Sequence, residues 1–260
     1  MRIAVVGIGN MGSWIAKELA KDGNSVAVYD TNPSRTERIV GADIRALGSI
    51  SELGDFSPEL LVNAVNIEKT TEVFSGFLGF LAPGCMIADV ASVKGELPSY
   101  YESCGFSFVS VHPMFGPTFA NVEDLRKENA VIISESCDEG KEFFRSFFSS
   151  LGLNVFEYSF LEHERMMAYS LALPFVSSMV FAACMDKTAV PGTTFAKHKA
   201  IAKGLFSEDD HLLAEVIFNP EALSQVEKVT GRLEYLKHII RDKDFKEAQR
   251  FFSKLRENME

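Results

Sequence analysis

Gly7-Ile8-Gly9-Asn10-Met11-Gly12 stands directly behind the β-branched run 3–6 and directly ahead of the amphipathic stretch 13–21, and this placement constrains the fold more than any other feature. The first glycine permits a tight turn, the second lets a backbone approach a pyrophosphate, and the third lets helix and strand pack closely. A helix that starts there turns its free amides toward phosphate oxygens. Residues Gly7, Ile8, Gly9, Asn10, Met11 and Gly12 are therefore read as a dinucleotide-binding turn. Asp30 closes the second strand pattern, 26–29, at the place where a carboxylate accepts hydrogen bonds from the adenosine ribose. A carboxylate facing the extra phosphate of NADP at ~4 Å is repelled by about 4 kcal/mol per unit charge at an effective dielectric near 20, so NAD is the expected cofactor. Arg35, close behind Asp30, softens that preference or is simply a solvated helix residue.

Short apolar runs at 3–6, 26–29, 60–65, 86–90, 108–111, 131–133 and 154–156 alternate with helical stretches, the pattern of βαβ units and a largely parallel sheet. Beyond Tyr158 the character changes. Ser159 and Glu162 have capping-box spacing and open a long apolar segment, 161–185, expected to be a buried helix kinked at Pro174. Pro191-Gly192 breaks the chain, Ser207 with Asp210 offers another helix start, and Asn219-Pro220 reads as an N-cap with proline at the first helical position. A last helix spans 244–256. The expected fold is α/β: a Rossmann-type dinucleotide-binding domain over 1–158, followed by an all-helical domain over 159–260. A helix as apolar as 161–185 needs more cover than a small domain provides, so a homodimer through the helical domain is expected.

A formal charge of −10 argues against a nucleic-acid partner, because phosphate binding needs clustered positive charge. It does not argue against a small anionic substrate in a locally basic pocket. Cys85, Cys104, Cys137 and Cys184 show neither a CxxC pair nor metal-ligand spacing, so they are expected to be buried reduced thiols, with no metal. Neither a signal peptide nor a membrane-length apolar run is read, and a cytoplasmic location is the expectation.

Two segments project beyond later strand ends: Asp89-Val90-Ala91-Ser92-Val93-Lys94-Gly95 and Val111-His112-Pro113-Met114-Phe115-Gly116-Pro117. Both should open at the carboxyl edge of the sheet, where such folds bind ligands. Proline after His112 holds that residue extended and fixes how its imidazole leaves the strand. A histidine with a hydroxyl to orient it, here Ser92, forms a candidate general base.

GIGNMG, DVASVKG, HPMFGP and the later Leu161-Glu162-His163-Glu164-Arg165-Met166-Met167-Ala168 occur in the order found in the prephenate and arogenate dehydrogenase family, which the sequence resembles across both domains. The resemblance implies NAD-dependent oxidative decarboxylation of prephenate to 4-hydroxyphenylpyruvate and carbon dioxide, a step of tyrosine biosynthesis, with arogenate as the alternative substrate. It implies that His112 deprotonates the ring hydroxyl and that Ser92 hydrogen-bonds to it. His163 matches a histidine near the substrate pocket, although its helix also permits a structural role. Lys94 faces the substrate's or cofactor's negative charge, or else sits in a salt bridge. The family's carboxylate-binding arginine is missing: Ala196 takes its place, and Lys197 is expected to substitute, with His198 and Lys199 beside it. Family members are often fused to other enzymes of the aromatic pathway, so such a fusion partner is open.

Two other readings compete. A β-hydroxyacid or imine reductase of the same two-domain type would depend on a lysine or acid of the helical domain rather than on His112 and Ser92. A module that senses NAD(H) without turnover would not need the Ser92 and His112 pair at all.

Overall fold

The computed structural model describes residues 1–260 except Thr118, Phe119, Lys187, Ala189 and Asp209. Among the described residues eight strands form one sheet in the order β3-β2-β1-β4-β5-β6-β7-β8. They are β1 (Arg2–Val6), β2 (Ser25–Tyr29), β3 (Ile44–Ala46), β4 (Leu60–Asn63), β5 (Met86–Asp89), β6 (Phe108–Pro113), β7 (Asn129–Ile133) and β8 (Asn154–Tyr158). Between them run α1 (Asn10–Lys21), α2 (Pro33–Glu37), α3 (Glu52–Phe56), α4 (Thr70–Phe77), α5 (Leu97–Ser103) and α6 (Asp138–Ser150). All neighbouring pairs are parallel except β6 with β7.

Strand residues alternate between two buried layers. Ile3 and Val5 face Ile15 and Leu19 of α1 with Phe144 and Phe148 of α6, whereas Ala4 and Val6 face Leu53, Phe74 and Leu97 on the opposite side. Both faces are covered, which is why these strands read as nearly continuous apolar runs. Burying each of the large side chains contributes about 1.5–3 kcal/mol. β3 escapes the sequence reading: it has only three residues, and its exposed Arg45 interrupts the apolar pattern.

After β8, Ser159 caps α7 (Phe160–Met167) in a complete capping box with Glu162, as its spacing predicts. A π turn, Ala168–Ala172, joins α7 to α8 (Leu173–Ala183). Pro174 therefore does not break the helix; the wider turn before it accommodates the missing N–H and the ring. α9 (Thr193–Leu205), α10 (Asp210–Ile217), α11 (Ala222–Asp242) and α12 (Phe245–Glu257) complete the helical region. The Oδ1 of Asn219 accepts the Glu221 amide ahead of α11, and the Oδ1 of Asp244 caps α12 through the Glu247 amide.

Three expectations need correction. The reading of no membrane-length apolar run does not hold: the continuous helical stretch Phe160–Ala183 is long and apolar enough to cross a membrane by length and composition, and 17% of its apolar 18-residue segment is buried, so 161–185 has little cover from its own chain. Within a single copy there is too little helical mass to enclose it. The cysteines are free, but burial varies: Cys85 is buried, Cys104 and Cys137 are half-buried, and Cys184, at the exposed end of α8, faces solvent.

Candidate active site

β1 is an interior strand, third from one edge of the sheet, and the chain leaves it first toward β2 and β3, then returns to β4 on the other side. That reversal opens a crevice at the carboxyl ends of β1 and β4, and the glycine turn lies in it. Gly7 adopts φ +86°, and a Cβ there would meet the Val65 backbone nitrogen at 2.7 Å. A Cβ on Gly12 would lie 1.9 Å from the Gly7 carbonyl oxygen, so helix and turn can meet only through glycine. Gly9 has open space where its Cβ would be, room that a ligand can use. It also caps α1 without a side-chain bond, leaving amides of the first turn free for an anion.

The carboxylate of Asp30 is built into this turn. Its Oδ2 accepts the Ile8 amide at 2.7 Å and its Oδ1 the Asn32 amide at 2.8 Å, while Arg35 approaches Oδ2 at 3.4 Å. Asp30 thus shapes the loop through its own hydrogen bonds. Beside it a recess is lined by Ile8, Gly9, Asn10 and Ser13 with the cations Lys17, Arg35 and Arg38.

A second cavity of about 480 Å³ lies between the sheet edge and the helical region. The sheet side contributes Asn10 and Met11, residues 64–68 after β4, residues 90–92 after β5 and residues 112–117 after β6. The helical side contributes Met167, Ser170, Leu171 and Phe175, then Glu208, His211, Leu212 and Glu215. Ser92 and His112 therefore open onto one space, as expected from the two strand ends.

Their relation to each other is not the expected one. Among the described residues no hydrogen bond joins Ser92 to His112. The Nδ1 of His112 instead meets Nε2 of His163 at 3.1 Å, with the rings edge to face. His163, on α7, is fully buried and does not line the cavity, so it backs the candidate base rather than touching a substrate. Burial first, and then His163 and Lys94, holds the His112 imidazolium well below the ordinary histidine value. Burial likewise pulls His163 down, against the upward influence of Glu164. Both rings are neutral at neutral pH, the form a general base requires.

Lys94 is also placed differently from a substrate ligand. Its Nζ donates to Asp89 Oδ1 at 2.7 Å and to the Val111 carbonyl at 2.8 Å, and both side chains of the ion pair are completely buried. Tyr101 donates to the other Asp89 oxygen at 2.7 Å. Burial lowers the Lys94 ammonium's pKa, opposed by the Asp89 carboxylate. This pair ties β5 to β6 beneath the cavity, and Lys94 does not reach the lining. Of its two sequence readings, the salt bridge holds.

Lys197 lies on an exposed face of α9 and does not line the cavity of this chain.

Residues 2–100, which carry the glycine turn and strands β1 to β5, match the family model of the NAD binding domain of 6-phosphogluconate dehydrogenase, so this part of the sheet is an NAD-binding unit. Among curated proteins, the chain is 22% identical over 250 residues to arogenate dehydrogenase 1 of Arabidopsis thaliana, covering 91% of this chain but 39% of that protein. It spans about two-fifths of that relative's length. Prephenate dehydrogenase of Aquifex aeolicus, solved with hydroxyphenyl propionate and NAD+, superposes with a TM-score of 0.86 at 19% identity, covering 100% of this chain and 97% of that one. The chain has the fold of a two-domain prephenate dehydrogenase. The 3-hydroxyisobutyrate dehydrogenase of Mycobacterium tuberculosis, a β-hydroxyacid enzyme, reaches only a TM-score of 0.56 at 12% identity over 88% of this chain and 94% of that one.

In this dehydrogenase fold, the residue that sequence reasoning missed is Glu164. Its Oε1 accepts the Lys94 amide at 2.8 Å, its Oε2 accepts from Asn219 Nδ2 at 2.7 Å, and Oε1 also lies 3.5 Å from His163 Nδ1. One carboxylate thus joins the loop after β5, α7 and the start of α11. The available signal was its position next to His163 in the matched segment 161–168, where it reads as an ordinary solvated helix residue.

Proposed function

We propose that this chain is an NAD-dependent dehydrogenase that oxidatively decarboxylates a cyclohexadienol of the prephenate and arogenate class, in the formation of tyrosine. The observation that carries the reading is His112: a neutral imidazole held from behind by His163, with its Nε2 left for a cavity continuous with the glycine turn. NAD bound at residues 7–12 would supply the hydride acceptor. His112 would take the hydroxyl proton as hydride leaves the same carbon, and Ser92, on the cavity wall, would hold the substrate oxygen rather than the imidazole. Asp30 supports NAD over NADP, its charge lying beside the adenosine ribose position. The greater likeness to a prephenate dehydrogenase than to a β-hydroxyacid enzyme supports this reading over the reductase alternative.

One observation favours arogenate over prephenate. Among the described residues the lining holds Glu68, Glu208 and Glu215 but no lysine or arginine. Both substrates carry the same two carboxylates, and such a wall suits the one whose side chain adds an ammonium group over the one with a ketone in its place; a unit-charge contact at ~4 Å is worth about 4 kcal/mol at an effective dielectric of 20. Lys197 would act on substrate only from a neighbouring chain. A homodimer in which the apolar stretch Phe160–Ala183 is covered by a second copy belongs to the same proposal, as does a cytoplasmic location.

The test is NADH formation, followed by absorbance, with arogenate and prephenate side by side. Turnover of at least one, with NAD preferred to NADP, is the expected result. Turnover of 3-hydroxyacids with neither ring compound consumed would replace this reading with the reductase one, and NAD binding by folded protein without any turnover would replace it with a sensing module.

A further inference from the structure

We propose that Glu164 is a positioning residue that, through His163, fixes the tautomer of His112 and so presents the lone pair of His112 Nε2 to the cavity. The inference rests on the dehydrogenase reading, with His112 as the base.

The His163 Nδ1 is buried and makes no hydrogen bond, yet it lies 3.5 Å from Glu164 Oε1. A buried polar atom left unpaired costs about 1–3 kcal/mol, so the arrangement favours a proton on that nitrogen, directed at the carboxylate. The gap exceeds a normal hydrogen bond by only a few tenths of an ångström, and catalytic hydrogen bonds are often long before substrate binds. With Nδ1 protonated, Nε2 of neutral His163 carries a lone pair. That lone pair meets His112 Nδ1 at 3.1 Å, so His112 must be the donor there. A neutral His112 protonated on Nδ1 has an unprotonated Nε2, the atom left for the cavity. Without the carboxylate, the reversed arrangement, in which His163 Nε2 donates to His112 Nδ1, becomes equally available; it places a proton on His112 Nε2 and removes the base.

The same chain stabilises the product of proton transfer. The substrate O–H bond would break with its proton going to His112 Nε2, the C–H bond of the same carbon would break with its hydride going to a bound NAD+, a carbon–oxygen double bond would form in their place, and the C–C pair released as carbon dioxide leaves would enter the ring, which becomes aromatic as that oxygen regains a proton. The resulting imidazolium passes part of its charge to His163, which faces the Glu164 carboxylate. Other charged groups around the pair are fixed. Lys94 is paired with Asp89, which also holds Tyr101, and donates to the carbonyl of Val111 next to His112, and Glu68, Glu208, His211 and Glu215 line the cavity with His112. Among these, Glu164 alone lies against the His163 nitrogen that faces away from His112.

Glu164→Gln keeps the shape and an oxygen for the Lys94 amide but removes the charge. Histidine tautomers are read by nitrogen NMR on protein with labelled histidine, a measurement that does not require turnover. In the wild type, His112 should be protonated on Nδ1 alone at neutral pH; in Glu164→Gln, a fraction should shift to Nε2. Loss of an orienting carboxylate behind a catalytic histidine costs ~10⁴ in the serine-protease triad. Here kcat should fall at least tenfold, the KM for NAD should stay within about twofold, and the acid limb of kcat should move to lower pH. Asn219→Ala is the control for mere docking of the helical region, since it removes a partner of Glu164 and leaves the charge. Should Glu164→Gln leave the tautomer and kcat unchanged, or should Asn219→Ala reproduce the whole effect, the proposal is wrong. If the wild type turns over neither ring substrate, the dehydrogenase reading fails instead, and the NMR result still decides the tautomer.

Discussion

Replacing Lys94 by methionine separates a structural lysine from a substrate ligand. The substitution roughly conserves length but removes the cation from a pair whose side chains are both fully buried, and leaves the Val111 carbonyl without its 2.8 Å donor. Asp89 retains the Tyr101 hydroxyl at 2.7 Å and the Ala91 amide at 3.0 Å, which satisfy its lone pairs but do not cancel its charge. Breaking one side of a buried ion pair costs about 3–5 kcal/mol, because the remaining charge has neither water nor partner. At 2–4 °C per kcal/mol for a chain of this size, the melting temperature should fall by roughly 6–20 °C. Adding Asp89→Asn to Lys94→Met removes the orphaned charge, so the double variant should be more stable than Lys94→Met alone. Thermal unfolding with and without NAD measures both effects. A drop below about 2 °C, or a double variant no more stable than the single one, would refute the reasoning and restore Lys94 as a ligand of the cavity.

His112→Asn should lower turnover by about 10² or more with little change in NAD affinity, and the wild-type acid limb should lie below the ordinary histidine range, since burial, His163 and Lys94 all depress the pKa; stopped-flow or steady-state rates against pH check both. The same depression sets a stability window: His112 and His163 bind protons less readily folded than unfolded, so the unfolded chain takes up more protons below about pH 6.5 and stability should fall as pH drops through that value, measurable by urea unfolding between pH 7 and 5. Gly9→Ala should leave the melting temperature of the cofactor-free protein nearly unchanged, because its Cβ meets open space, while Gly12→Ala should lower it by forcing apart the turn and α1; calorimetric titration should show NAD binding weakened in both.

The parts of this molecule legible in sequence are those written by local rules. The glycine turn and the capping box at Ser159 each depend on residues within a few positions of one another, and each appears where its spacing places it; Asn219-Pro220 does not cap α11, which starts at Ala222 behind Glu221, because the Asn219 side chain is engaged by Glu164 and the Glu221 amide. His112 was legible because the adjacent proline and the strand before it fix its exit at the sheet edge. What remained hidden depends on contacts at long range. His163 lies 51 residues from His112 and Glu164 lies 70 from Lys94, so no periodicity links them. The expected Ser92 to His112 bond failed for a related reason: two residues on adjacent strand ends share a cavity, but which nitrogen points at which neighbour is decided by α7. Lys94 and Asp89 form the exception, only five residues apart, and an acid followed by a lysine across a strand end was a readable sign of a buried pair.

The fate of the apolar stretch follows from the same division. The pattern of residues 161–185 indicates how much surface must be covered, but not whether the cover lies within the chain. The first part of the stretch is anchored near the sheet: the Phe160 amide donates to Glu135, His163 meets His112, and Glu164 accepts from the Lys94 amide and from Asn219. α8 contains no fully buried side chain and continues outward to α9, where Lys197 sits exposed. One end of a nearly continuous helix is therefore built into the candidate base while the other presents apolar surface. In the proposed dimer a second copy over α8 would bear on the same helical stretch, joined through the π turn, that carries His163 and Glu164, so dilution that separates the copies should lower turnover per chain before it unfolds the NAD-binding sheet.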